Sequence, residues 1–165
     1  MRYYMKSKLF KIKEDFWIKN KYDEEVYFVD NKFLTFGLQF DILKNNRVLY
    51  SVKEKPVIFM LDYEMFENED VVAEVNQKLK FLNDKISVTN ELYVTSKYED
   101  LTIEGDYFNY NYGIYKDGEL IAQVTKESSS FTDDYCIDID FEDEAFVLAL
   151  VVIIDNIIDK QKNNN

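Results

Sequence analysis

Phe146-Val147-Leu148-Ala149-Leu150-Val151-Val152-Ile153-Ile154 is the stretch on which the fold turns, because it is apolar on every side of any regular element. Asp155-Asn156-Ile157-Ile158 follows it, and the acidic run Glu142-Asp143-Glu144 precedes it. Acids ahead and Lys160 and Lys162 behind suit the two ends of a helix dipole. Asp140 is placed to serve as N-cap, with Asp143 three residues later. A helix apolar all round must be enclosed by hydrocarbon, from protein or from lipid. Nine uninterrupted apolar residues fall well short of the ~18–20 that a bilayer span needs. Asp155 would sit inside any longer span, at a cost of a few kcal/mol. Enclosure by protein is expected, with no transmembrane segment.

The rest of the chain supplies the enclosure. A unit recurs in which an apolar residue is followed, three positions on, by Asp, Asn or Gln, then an aromatic, any residue and an aliphatic. It reads Ile12–Asp15–Phe16–Ile18, Phe36–Gln39–Phe40–Ile42 and Phe59–Asp62–Tyr63–Met65. A degenerate copy stands at Phe81–Asp84–Lys85, before Phe108–Asn111–Tyr112–Ile114 and Phe131–Asp134–Tyr135–Ile137. The leading positions are spaced by 24, 23, 22, 27 and 23 residues.

A second strand follows each copy. Lys44-Asn45-Asn46-Arg47 leads into Val48, Tyr50 and Val52; Glu67-Asn68-Glu69-Asp70 into Val71, Ala73 and Val75; Lys116-Asp117-Gly118-Glu119 into Leu120, Ala122 and Val124. Apolar residues at every other position mark a half-buried strand, which places these trios inward. Asp117-Gly118 is a hairpin signal, since both central residues of that turn take positive φ. The first copy is looser, running from Phe16–Lys19 through Tyr22-Asp23-Glu24 to Val26–Val29.

An opening strand near Tyr3–Phe10, five strand pairs and a last strand near Tyr135–Ile139 make about twelve, the region Glu91–Tyr98 being the weakest signal. The fold class is mainly β: a closed antiparallel barrel enclosing the hydrophobic C-terminal helix. Twelve strands make a barrel wider than the eight-stranded kind that side chains alone fill, so a helix has room inside. A two-sheet sandwich of the same strands is the alternative. One domain is expected over residues 1–160, with 161–165 as a frayed tail.

Composition narrows the function. The 165-residue chain carries a formal charge of −12, unevenly spread. Residues 1–55 hold twelve Lys/Arg against eight Asp/Glu, and residues 56–165 hold eight against twenty-four. Such a field repels nucleic-acid backbones. A single cysteine, Cys136, cannot form an internal disulfide, and the N-terminal residues lack the apolar core of a signal peptide, so a cytoplasmic location is expected.

Together these residues resemble the Tubby C-terminal-like superfamily, and within it the bacterial LURP-one-related proteins. The resemblance is carried by Met1-Arg2-Tyr3-Tyr4-Met5-Lys6, by Ile103-Glu104-Gly105-Asp106-Tyr107-Phe108 leading into Tyr112-Gly113-Ile114, and by Tyr135-Cys136-Ile137-Asp138 running into the apolar helix. It implies a twelve-stranded barrel around a central hydrophobic helix. Relatives include phosphoinositide-binding domains and proteins named phospholipid scramblases. The acidity here argues against a basic headgroup pocket, and the scramblases' cysteine-rich tract and terminal membrane helix are absent.

Candidate chemistry is sparse. With no histidine, His-based triads and histidine-containing zinc sites fall away. Cys136 lacks a basic neighbour in sequence and reads as a packing thiol. The four glycines, Gly37, Gly105, Gly113 and Gly118, fit no phosphate loop, and Gly105 suggests a bulge or close backbone approach. The acids Asp133, Asp134, Asp138, Asp140, Glu142, Asp143 and Glu144 break the EF-hand pattern, which puts Asp143 where Gly is required. They read as solvated charge and helix capping. Lys6, Lys8, Lys11, Lys13, Arg47, Lys53 and Lys55 are the anion or headgroup candidates, if they gather on one face. The function expected is a non-enzymatic binding or scaffold module without a cofactor, its partner a protein or a lipid headgroup. Peripheral phospholipid or phosphoinositide binding is the alternative, and a carboxylate-dependent enzyme the second alternative.

Overall fold

The computed structural model describes residues 1–6, 14–32, 37–56, 60–82, 85–127 and 134–163. Its strands are β1 (Arg2–Lys6), β2 (Phe16–Asn20), β3 (Glu25–Asn31), β4 (Gln39–Lys44), β5 (Arg47–Glu54) and β6 (Asp62–Glu67). They continue with β7 (Asp70–Leu82), β8 (Lys85–Ser96), β9 (Leu101–Asp106), β10 (Asn111–Lys116), β11 (Glu119–Lys126) and β12 (Asp134–Ile139). Neighbours in sequence pair antiparallel, and β1 closes the barrel on β12 from Arg2 opposite Asp138 to Lys6 opposite Asp134. The opening strand is described only to Lys6; Ser7–Phe10 lie outside the described residues, as do the leading residues Ile12, Phe36, Phe59 and Phe131.

Each regular copy of the repeat delivers the same inward pair. Phe16 and Ile18, Phe40 and Ile42, Tyr63 and Met65, Tyr112 and Ile114, and Tyr135 and Ile137 are all buried. Large residues stand opposite smaller ones across the strands. Phe16 faces Val29, Phe40 faces Val52, Tyr63 faces Val75 and Tyr112 faces Val124. Ile18 faces Tyr27, Ile42 faces Tyr50, and Met65 and Ile114 face Ala73 and Ala122. Interdigitation of this kind brings a core to native density.

The simple alternation expected of the second strands fails at one recurring point. Directly after Ile18, Ile42, Met65 and Ile114 the register shifts, leaving Val26, Leu49, Val72 and Ile121 as extra residues. A one-residue slip sends the following side chains to the other face. Val48, Val71 and Leu120, expected inward, are therefore 47% exposed each. Bulges add the local twist and bend that a barrel wall needs to close. Beside them the turns at Asn45-Asn46 (φ 52 and 61) and Asp117-Gly118 (φ 51 and 81) adopt the left-handed pairs that suit two-residue hairpins.

The degenerate fourth copy departs further. Here β7 and β8 run on as a hairpin of 13 and 12 residues, in which Lys85 is exposed and Leu92 and Val94 are buried. The register of that hairpin shifts between Gln77 and Leu79, from Gln77 opposite Leu92 to Leu79 opposite Val88; Asp84 lies outside the described residues. Gly105 on β9 has φ +112, and a Cβ there would lie 2.7 Å from the carbonyl oxygen of Asn111 on β10. It is a close-approach glycine.

The helix α1 (Glu144–Asn163) runs inside this wall, buried without interruption from Ala145 to Ile158. Each enclosed Val, Leu or Ile gains roughly 1.5–3 kcal/mol over exposure, so the helix contributes a large share of the core's hydrophobic term beside the inward wall residues. The N-cap is Asp143, not Asp140: its carboxylate accepts the Phe146 N–H at 3.0 Å. Asp140 is held back at the strand end, its N–H donating to the Ile121 carbonyl. The last turn persists past the boundary drawn at residue 160, with Lys160 paired to Glu54 and Lys162 lying 5.3 Å over the Tyr110 ring. Among the described residues, no helix is long and apolar enough to cross a membrane.

Candidate functional site

Three places on the barrel concentrate polar chemistry. The first is the mouth at the N-terminus of α1, where tyrosines from several strands converge on two helix carboxylates. Tyr3 and Tyr27 donate to Glu144 at 2.5 and 3.3 Å, and Tyr50 and Tyr98 donate to Asp143 at 2.5 and 2.7 Å. Lys97 bridges Tyr50 and Glu67 at 2.9 and 3.0 Å. Burial, and next the adjacent carboxylate, pushes all four phenols up, Tyr27 to about 12. A phenol held protonated is a poor base or nucleophile and a good donor. Chemically, this mouth is a clamp on the first turn of the helix.

The second is the opposite mouth. Asp155 and Asn156, polar residues within the buried run, meet tyrosines of the repeat. Tyr63 donates to Asn156 Oδ1 at 2.8 Å. Asp155 lies near Tyr110, Tyr112 and Tyr135, and burial pushes its carboxyl up to about 7. The first two copies carry Phe16 and Phe40 where the third, fifth and sixth carry Tyr63, Tyr112 and Tyr135. The helix thus turns its polar residues toward the copies that hold hydroxyls. Beside Asn156 a pocket of about 160 Å³ is lined by Asn31, Lys32, Gly37, Leu38, Gln39 and Lys160.

The third is a groove of about 610 Å³ between β1 and β2. Among the described residues these strands pair at Tyr3–Asn20 and Tyr4–Lys19. Tyr4, Lys6, Trp17, Lys19 and Lys21 line it, with Asp23, Glu25 and Asp134 among its acids. Trp17 is 43% exposed and leans on Phe28 at 4.9 Å. Lys19 is paired with Asp23 at 2.9 Å, whereas among the described residues Lys6 and Lys21 form no ion pair.

Of the basic residues singled out in the sequence, Lys6 lies in this groove, and Lys8, Lys11 and Lys13 lie outside the described residues. Arg47 and Lys53 sit at opposite ends of β5, about 20 Å apart at ~3.3 Å per residue, and Lys53 covers the Phe66 ring. Lys55 is surrounded by Glu64, Asp62 and Glu74 at 2.9, 3.6 and 3.8 Å. Three strands separate β1 from β5 on the wall, so Lys6 does not meet these three. Lys19 and Lys21 join Lys6 instead; the outward alternation of Trp17 and Lys19 along β2 was the available signal. The acidic run disperses as well, Asp138 binding Arg2 at 2.7 Å while Asp143 and Glu144 take tyrosine hydroxyls. Cys136 is buried against Thr125, as a packing thiol.

A closed antiparallel barrel whose core is its own terminal helix defines a class of domains distinct from barrels that keep an internal ligand cavity. A model of the LURP-one-related family matches residues 1–155, and the chain belongs to that family. It is similar to "Uncharacterized protein YxjI" of Bacillus subtilis, 24% identical over 153 residues that cover 92% of this chain and 89% of the relative. An X-ray structure of the Arabidopsis thaliana protein AT5G01750 superposes with a TM-score of 0.61 at 16% identity, covering 94% of this chain and 91% of that one. At that identity the likeness concerns the fold.

Proposed function

We propose that the protein is a non-catalytic binding module that recognises a protein partner on the outside of the barrel, at the groove between β1 and β2. The observation that carries this reading is the division of the molecule: α1 fills the interior from Ala145 to Ile158, while one outer face carries aromatic rings beside Lys6 and Lys21, which form no ion pair among the described residues. Exposed Trp and Tyr beside cations are the residue types that dominate binding energy at protein interfaces. A partner segment carrying acidic and apolar side chains complements Lys6, Lys21, Tyr4 and Trp17. A photo-crosslinking residue placed at Tyr4 should give a discrete adduct in cells that the same residue at the exposed Val71, on β7 across the barrel from β1, does not. Identical adduct patterns from the two positions would remove the groove from consideration.

A second reading, peripheral binding to an anionic lipid surface, is favoured by the same combination of Trp17 with Lys6, Lys19 and Lys21. Co-sedimentation with vesicles containing anionic lipid, weakened by salt and by Lys6→Gln with Lys21→Gln, is its expected sign. No binding at low salt would end it.

A further inference from the structure

We infer that the turn Tyr107–Tyr110, packed on α1, is a proton-operated latch: it stays shut over Asp155 while that carboxyl is protonated and swings out when the proton leaves. The latch is independent of the β1–β2 groove. Asp155 is 3% exposed, and its Oδ1 meets no hydrogen-bond donor among the described residues. Tyr110 of the turn, Tyr112 of β10 and Tyr135 of β12 face it from the wall, and Asp159 and Lys162 from the helix. Tyr110 is the phenol that hydrogen-bonds its carboxyl. The Tyr135 hydroxyl is directed to the Met5 sulfur at 4.0 Å, and Lys162 lies 5.3 Å over the Tyr110 ring. A carboxylate at this place, with one phenol donor and no ammonium in contact, lacks the partners that a buried charge needs. Loss of the proton therefore calls for water.

The turn is the element that can admit it. β10 is paired along its length with β9 and β11, and β12 with β11 and β1, so moving Tyr112 or Tyr135 would break ladder hydrogen bonds. The turn is a single 3₁₀ turn, Tyr107–Asn109, closed by the Tyr110 N–H donating to the Tyr107 carbonyl at 3.0 Å. Tyr110 joins it to β10 at φ 55 and ψ 44, a left-handed conformation that strains a bulky side chain. The same residue stacks on Tyr135 at 5.0 Å. Rotation at that one joint relieves the strain, uncovers Asp155 and frees Lys162 to approach the carboxylate. In the open form the carboxyl returns to its ordinary value of 3.8, whereas burial holds it up at about 7 in the closed form. Between those values opening becomes ~tenfold easier per pH unit, and above them it no longer changes.

The test is amide hydrogen exchange of the full-length, ¹⁵N-labelled chain, measured from about pH 5 to pH 8 and expressed as protection relative to an unstructured chain. The Tyr110 amide should be less protected than that of Leu148 in the buried helix. Its protection should fall about tenfold from pH 5 to pH 6 and level off above about pH 7. Glu99 at the opposite mouth is the control, being also left-handed, at φ 72, with its N–H bonded to the Ser96 carbonyl at 3.0 Å. With no buried acid beneath it, its protection should not follow pH. Asp155→Asn should flatten the Tyr110 profile. Should that variant fail to fold, Tyr110→Phe removes the donor that favours the ionised carboxyl, and the levelling point should move to higher pH. A Tyr110 amide as protected as Leu148 opens only with the whole molecule and overturns the latch. A flat parent profile, equal slopes at Tyr110 and Glu99, a slope that survives in Asp155→Asn, or an unmoved levelling point in Tyr110→Phe does so equally.

Discussion

Replacing Asp155 by Asn should stabilise the protein at and above neutral pH and do little below about pH 4. Asp155 is 3% exposed, and its Oδ1 has no hydrogen-bond partner among the described residues. Burial raises its carboxyl from 3.8 to about 7, against the opposing pull of a Tyr110 hydrogen bond and the charge of Lys162, with Asp159 adding to the rise. Between those two values the folded chain keeps a proton that the unfolded chain has lost. Stability must therefore fall as pH rises through that window and level off above the folded value. A gap of about three units at ~1.36 kcal/mol each makes the full loss about 4 kcal/mol. Asparagine keeps an acceptor for Tyr110 without the charge. Urea unfolding of parent and variant at a series of pH values isolates this group, since other titrations cancel in the difference. The variant's advantage should widen by roughly 3 kcal/mol from about pH 5 to pH 8, a midpoint shift on the order of 1–3 M. A difference independent of pH, or a variant less stable at pH 8, would refute the burial of an ionisable carboxyl at this position.

Other substitutions probe the packing and the turns. Leu148→Ala, at a fully buried helix position, should destabilise by ~2–5 kcal/mol in chemical denaturation, because a barrel wall cannot collapse into the void. Gly105→Ala should cost well over 1 kcal/mol, since strain at positive φ is added to a backbone clash. Gly118→Ala meets nothing within 4 Å and should cost about 1 kcal/mol from the turn conformation alone; thermal melts of the pair compare them. Asp143→Ala should lose ~1–2 kcal/mol for the helix cap and more for the orphaned hydroxyls of Tyr50 and Tyr98. Tyr50→Phe with Tyr98→Phe in that background should recover the second part.

The repeat made most of the barrel legible, because a spacing near 23 residues with an aromatic-x-aliphatic pair fixes where each wall strand begins and which face it buries. What it hid was the bulge. Val48, Val71 and Leu120 satisfy a perfect alternation on paper, and only pairing geometry shows that Leu49, Val72 and Ile121 are extra residues which turn them outward. The β7–β8 hairpin was hidden for a related reason: its register shifts between Gln77 and Leu79, and the buried Leu92 and Val94 lie beyond that shift, where the spacing gave no copy of the motif. The N-cap was ambiguous because Asp140 and Asp143 are chemically alike, and the end of β12 decided between them. The polar residues Asp155 and Asn156 were visible, but their tyrosine partners are contributed by strands far away in sequence. The groove was legible only through Lys6; its partners Lys19 and Lys21 depend on which strands become neighbours when the barrel closes.

Amide hydrogen exchange along the last helix tests the enclosure itself most directly. With the wall shut around it, the amides from Phe146 to Ile158 should open only when the whole molecule unfolds, and should be the slowest in the chain. Exchange of that segment well ahead of the wall strands, at the rate of a helix lying in solvent, would contradict the account.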